Sequence, residues 1–177
     1  MLFDKHKQVL EDAISACKLR HYWSPFVESP SRQLHPEGAH EQGKLAYESH
    51  LNKPFMLDQP GEIGRTGHEV SPYTQESLGI NYPKADIKEL VTSAMEAGQS
   101  WSNISPNERV GVCLEMAFTL EKQCFENAYA TMHTAGQSFL MAYSGSGPNA
   151  LDRGIEALAY AHKAMSDVPQ SASWTKQ

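Results

Sequence analysis

Apolar residues recur along this chain at three- and four-residue spacing and almost never alternate, which predicts helices rather than strands. Val9, Leu10, Ala13, Ile14 and Cys17 make one stripe and predict a first helix over about Asp4–Arg20. His21-Tyr22-Trp23-Ser24-Pro25-Phe26 then breaks it, and Pro25 and Pro30 keep the following residues extended or turning. A second helix is expected from Pro36, with Ala39, Ala46, Tyr47, His50 and Leu51 inward and Pro54 as its stop. Between Pro54 and Pro83 the pattern dissolves among Pro60, Gly61, Gly64, Gly67, Pro72 and Gly79, with Phe55-Met56-Leu57 as a short strand candidate. A loop of that length usually wraps something or reaches a neighbour.

Helical spacing resumes at Asp86, a cap residue with Glu89 placed to reach back to the cap amide. Ile87, Leu90, Val91, Ala94, Met95 and Trp101 trace its apolar side. Ser105-Pro106-Asn107-Glu108 combines a capping serine, proline at the first helical position and glutamate at the third. Val110, Cys113, Leu114, Ala117 and Leu120 follow on one side, and Phe125, Ala128, Tyr129 and Met132 continue the helix to Gly136. A short helix is expected over Phe139–Tyr143 and a last one from Pro148 to Pro169, with Leu151, Ile155, Leu158, Ala159, His162 and Met165 inward. The chain thus divides into residues 1–83, an extension with two helices and a long Pro/Gly-rich loop; 84–168, a helical segment; and 169–177, a polar exit. No internal repeat is present.

Composition narrows the partners. Of 177 residues 40% are hydrophobic, enough for a core, and the net charge of −6 repels phosphate backbones, so nucleic acid is not an expected partner. No Lys/Arg run suits an anionic membrane surface, and no apolar run is long enough to cross one. Met1-Leu2-Phe3-Asp4-Lys5-His6 is too polar for a signal peptide. Cys17, Cys113 and Cys124 show no paired spacing, so reduced thiols in a cytoplasmic protein are expected.

Each candidate for chemistry meets a plainer competitor. Gly145-Ser146-Gly147-Pro148-Asn149-Ala150 fits G-x-G-x-x-A, with Asp167 where a ribose-binding acid would sit. A dinucleotide site needs a strand before that turn and another after its helix, so an inter-helix turn is the stronger reading. Ser15-Ala16-Cys17-Lys18 and Ser173-Trp174-Thr175-Lys176 fit S-x-x-K without its companion motifs. Cys17 and Cys113 lie on apolar helix faces, and Cys124 has no base nearby in sequence. The eight histidines are scattered, with no i, i+4 helical pair and no C-x-x-C to hold zinc. Gly61-Glu62-Ile63-Gly64-Arg65-Thr66-Gly67 could cradle an anion, but a structural turn is favoured because no helix start follows. No catalytic, cofactor-binding or metal-ligating residue is assigned.

Several phrases, in order, carry a resemblance. They are Tyr22-Trp23-Ser24-Pro25, Asp58-Gln59-Pro60-Gly61, Glu69-Val70-Ser71-Pro72-Tyr73, Gly111-Val112-Cys113-Leu114-Glu115, Met132-His133-Thr134-Ala135-Gly136-Gln137, and Gly147-Pro148 with Asp152-Arg153-Gly154. Together they are similar to the N-terminal part of the PaaN family of phenylacetic acid degradation proteins, within the aldehyde dehydrogenase superfamily. A wider echo lies in Trp101, Glu108-Arg109 and Leu120-Glu121. Thr134-Ala135-Gly136-Gln137 stands where many relatives read Glu-Thr-Gly-Lys, keeping only the glycine.

The resemblance implies a chain that is mostly α, the N-terminal helical segment of an α/β aldehyde-dehydrogenase-like fold. It implies a parent about three times longer, a homo-oligomer, that oxidises an aldehyde formed after ring opening in phenylacetate breakdown. In such enzymes a cysteine thiolate attacks the aldehyde, hydride passes to NAD or NADP, and glutamate-activated water releases the acid. Those motifs, in cofactor and catalytic domains, would lie after Gln177, leaving this chain alone inactive and without bound cofactor. The alternative from the residues is a self-contained helical binding or scaffold protein whose surface is the Pro54–Pro83 loop.

Overall fold

In a computed structural model, residues 1–169 and 171–176 are described. The chain folds into α1 (Leu2–Leu19), a 3-10 turn (Arg32–Leu34), α2 (Ala39–Glu48), β1 (Glu62–Thr66), β2 (Tyr82–Ala85), α3 (Ile87–Ser102), α4 (Pro106–Glu121), α5 (Cys124–Ala135), α6 (Phe139–Ser146) and α7 (Pro148–Ser166). Mostly helical architecture is therefore observed, with one two-stranded antiparallel sheet. No helix of the described residues is long and apolar enough to cross a membrane.

Three helices, α1, α4 and α7, enclose the main core of Leu10, Ala13, Val110, Leu114, Ala117, Ile155 and Ala159, with Phe26 closing one end. α1 and α4 approach closely because Gly111 has no side chain; a Cβ there would lie 2.5 Å from the Phe3 amide nitrogen. The pair is also tied by charge. Lys5 Nζ and His6 Nε2 both reach the Glu115 carboxylate, at 2.6 and 2.5 Å, and His6 stacks on Phe118. A second cluster joins α5 to α6 through Cys124, Ala128, Ala142 and Tyr143, with Phe125 and Phe139 packed on it. α2 lies along α5, where Gly43 leaves room for Phe125.

Where local signals are strong, they set the helix ends. Ser105 Oγ accepts from the Glu108 amide, and Glu108 accepts from the Ser105 amide, so the capping box forms with Pro106 at the first helical position. Gly136 takes φ 71 and closes α5, while Pro148 opens α7.

Several boundaries differ from expectation. α2 starts at Ala39 rather than Pro36, because the Ala39 amide closes a turn onto the Pro36 carbonyl (3.1 Å) and Gly38 takes φ 80. Phe55–Leu57 is not a strand, though the Phe55 amide donates to Asn81 O at 2.9 Å. The strands are β1 and β2, paired from Glu62–Ala85 to Thr66–Tyr82, with an irregularity at Glu62/Gly64. Asp86 caps α3 by accepting from the Glu89 amide, but its own amide donates to Gly61 O, so Glu89 does not complete a capping box. α4 and α5 are separate helices, broken at Lys122–Gln123, where one run was expected. α7 ends at Ser166, three residues before Pro169. Residues 171–176 carry no regular structure and are exposed, while Gln170 and Gln177 of the expected exit fall outside the described residues.

Candidate functional site

Of the glycine-rich phrase Gly145–Ala150 only Gly147 lies between helices: Gly145 and Ser146 end α6, Pro148 opens α7, and no strand precedes it. A Cβ on Gly147 would lie 2.7 Å from Cys124 Sγ and from Tyr143 O. Its glycine is thus required by packing against α5, not by approach of a pyrophosphate. Pro148 further removes one of the amides an anion would need at this helix start. Asp167 sits at the far end of α7, bound to Lys163 Nζ at 2.7 Å. These residues do not fit a dinucleotide.

The remaining sequence candidates are kept apart. Ser15 and Cys17 lie within α1, whereas Ser173 and Lys176 are in the exposed segment 171–176. Cys124 is buried, and that burial raises its thiol to about 12, with Glu121 adding to the effect; such a thiol is no nucleophile at neutral pH. All three cysteines are free thiols. Each histidine found in contact has a structural partner: His50 the Glu126 carboxylate at 2.8 Å, His133 the Ser71 hydroxyl at 2.8 Å, His162 Asn107 at 2.9 Å. Among the described residues no three metal-ligating side chains gather. Residues 62–66 form β1, and the Arg65 guanidinium is spent on Glu62, Phe55 O and Asn81 O, so no anion cradle forms there.

Two further features stand out in the structure. First, the apolar side of α3 is uncovered: Ile87 is 72% and Met95 71% exposed, Val91 and Trp101 are exposed too, and no residue of α3 is buried. The β1–β2 hairpin beside it also shows an outward face at Ile63. What holds this arm is the loop between the strands. Leu78 and Ile80 are buried, Ser71 meets His133 of α5, and Tyr73 Oη donates to Gln137 O at 2.7 Å. Burial, then Glu69, raises the Tyr82 phenol to about 12 in the same seam.

Second, a cleft of ≈ 370 Å³ opens between the end of α1, residues 20–23 and α7. It brings together two phrases quoted above: Ser24 Oγ donates to Asp152 Oδ1 at 2.9 Å across 128 residues of sequence. Only the recurrence of both phrases in the resemblance pointed to these positions.

No family model matches the chain, and no curated protein does. A solved structure does: the NAD-dependent aldehyde dehydrogenase from Burkholderia multivorans, with a TM-score of 0.94 and 42% identity over 100% of this chain and 32% of that one. The chain therefore spans about a third of the length of the protein it matches. A likeness this high shows the architecture to be that of a helical segment of an aldehyde-dehydrogenase-like fold.

Proposed function

We propose that these 177 residues are the N-terminal helical part of an NAD(P)-dependent aldehyde dehydrogenase-like oxidoreductase, and that cofactor and catalytic residues belong to the rest of that polypeptide. The observation that carries this is the exposed α3 stripe, seen in a chain that matches only 32% of a dehydrogenase's length. A contiguous apolar face left in water marks a surface made to be covered. The role of this chain is then structural. α1, α4 and α7 share one packed core, and α3 with the hairpin presents an apolar side to the cofactor and catalytic domains and to oligomer contacts. The work in phenylacetate breakdown, on an aldehyde formed after ring opening, rests on the phrase series from Tyr22-Trp23-Ser24-Pro25 to Asp152-Arg153-Gly154, and a cytoplasmic setting on the unpaired spacing of Cys17, Cys113 and Cys124.

The test is the coding DNA after Gln177, together with calorimetry on the 177-residue chain. The reading expects an in-frame continuation bearing a cysteine nucleophile motif, and no micromolar binding of NAD or NADP by the chain alone. A stop codon at that point, or tight cofactor binding by the chain, would overturn it. The closed α1–α4–α7 core favours one competitor, a self-standing helical binding protein. That reading requires a cooperative monomer that does not bind apolar dyes.

A further inference from the structure

The cleft beside α1 is not accounted for by the dehydrogenase reading, and its chemistry stands independently of it. Its volume, ≈ 370 Å³, falls within the range of small-molecule sites. Asp152 lines it from α7 and is only 8% exposed. Ser24 occupies Oδ1, and among the described residues no hydrogen bond reaches Oδ2. Burial is the main influence raising this carboxyl, with Ser24 drawing it back. A carboxylate so placed gains from a cationic donor.

The opposite charge is supplied from α1. Arg20 lines the same cleft and has no ion pair among the described residues, whereas Arg153 is taken by Glu156 at 2.6 Å. The lining therefore keeps one uncommitted anion and one uncommitted cation. Arg20 also holds φ 57 at the end of α1, a conformation usually given to glycine. Tyr22, Trp23 and Tyr160 add flat apolar surface around the two charges.

We propose that this cleft binds a small aromatic zwitterion, its ammonium on Asp152, its carboxylate on Arg20 and its ring against the Tyr22, Trp23 and Tyr160 side chains. A free aromatic amino acid has this chemistry. Aromatic lining residues favour both the ring and the ammonium.

The test uses the full chain with Trp101→Phe and Trp174→Phe, which leaves Trp23 as the reporter. Three probes are titrated against its fluorescence: phenylalanine, phenethylamine without the carboxylate, and 3-phenylpropanoate without the ammonium. Saturable binding of phenylalanine is expected, with each truncated probe weaker by about tenfold or more. Arg20→Gln should erase the preference over phenethylamine, and Asp152→Asn the preference over 3-phenylpropanoate. No saturable signal with phenylalanine, equal binding of all three probes, or an unchanged preference in the exposed Arg20→Gln variant would overturn the assignment.

Discussion

α3 and α4 are consecutive helices of sixteen residues each, both begun by a side-chain cap and both striped with apolar residues, yet they meet opposite fates. α4 buries Val110, Leu114 and Ala117 against α1 and α7. α3 buries nothing and points Ile87, Val91 and Met95 outward. A helical stripe declares that a face is meant to be covered but does not name what covers it. For α4 the cover is within these 177 residues. For α3, on the reading proposed above, it is the remainder of a larger polypeptide.

Truncation of one apolar side chain on each helix should separate them most widely. Leu114→Ala empties a site with 0% exposure and should cost about 2–5 kcal/mol. Met95→Ala should stay within about 0.5 kcal/mol. Urea unfolding midpoints read both, and a comparable loss for Met95 would mean that α3 is already packed.

The glycines should respond with opposite signs. Gly111→Ala forces a Cβ into the Phe3 backbone and should cost about 1–3 kcal/mol. Gly98→Ala meets nothing within 4 Å on α3 and should raise helix stability by up to about 1 kcal/mol. Circular dichroism with thermal melts checks the pair.

Loss of the caps should differ in reach. Ser105→Ala should lower global stability by about 1 kcal/mol, since α4 belongs to the main core. Asp86→Ala should fray α3 locally and leave the global urea midpoint unmoved.

The weakest expected effect comes from pH. Burial, ahead of nearby charges, holds His40 and His133 below their ordinary value near 6.5. Below that value the unfolded chain takes up more protons than the folded one, so their contribution is intact above it and shrinks as pH falls through it toward the folded values. Asp152 acts in the opposite sense: burial raises its carboxyl, so the cost of its charge is relieved as pH falls through that raised value. Urea midpoints at pH 7.5 and 5.5 should show α2 and α5 weakening first, because His40 and His133 sit there.

The parts legible in advance are those whose causes lie within a few residues. The Ser105–Glu108 box, Gly136 and Pro148 are local rules, and each marks a real boundary. β1 was not legible because Glu62–Thr66 has every residue exposed and no alternation; its strand character comes from pairing with Tyr82–Ala85. The start of α2 was displaced by a turn at Glu37–Gly38 that proline statistics do not reveal. The cleft was hidden because Ser24 and Asp152 meet across 128 residues, a distance no periodicity spans. The α3 stripe was legible, but not what covers it, because the stripe looks the same with or without a partner present.

Native-state hydrogen exchange on the 177-residue chain, repeated after mixing with the part of the Burkholderia multivorans dehydrogenase that lies outside the match, tests the uncovered face most directly. The account predicts fast exchange at α3 amides in the chain alone, slow exchange in α4 and α7, and protection of α3 once the second polypeptide is added. Protection of α3 equal to that of α4 in the chain alone, or no change on mixing, would contradict it.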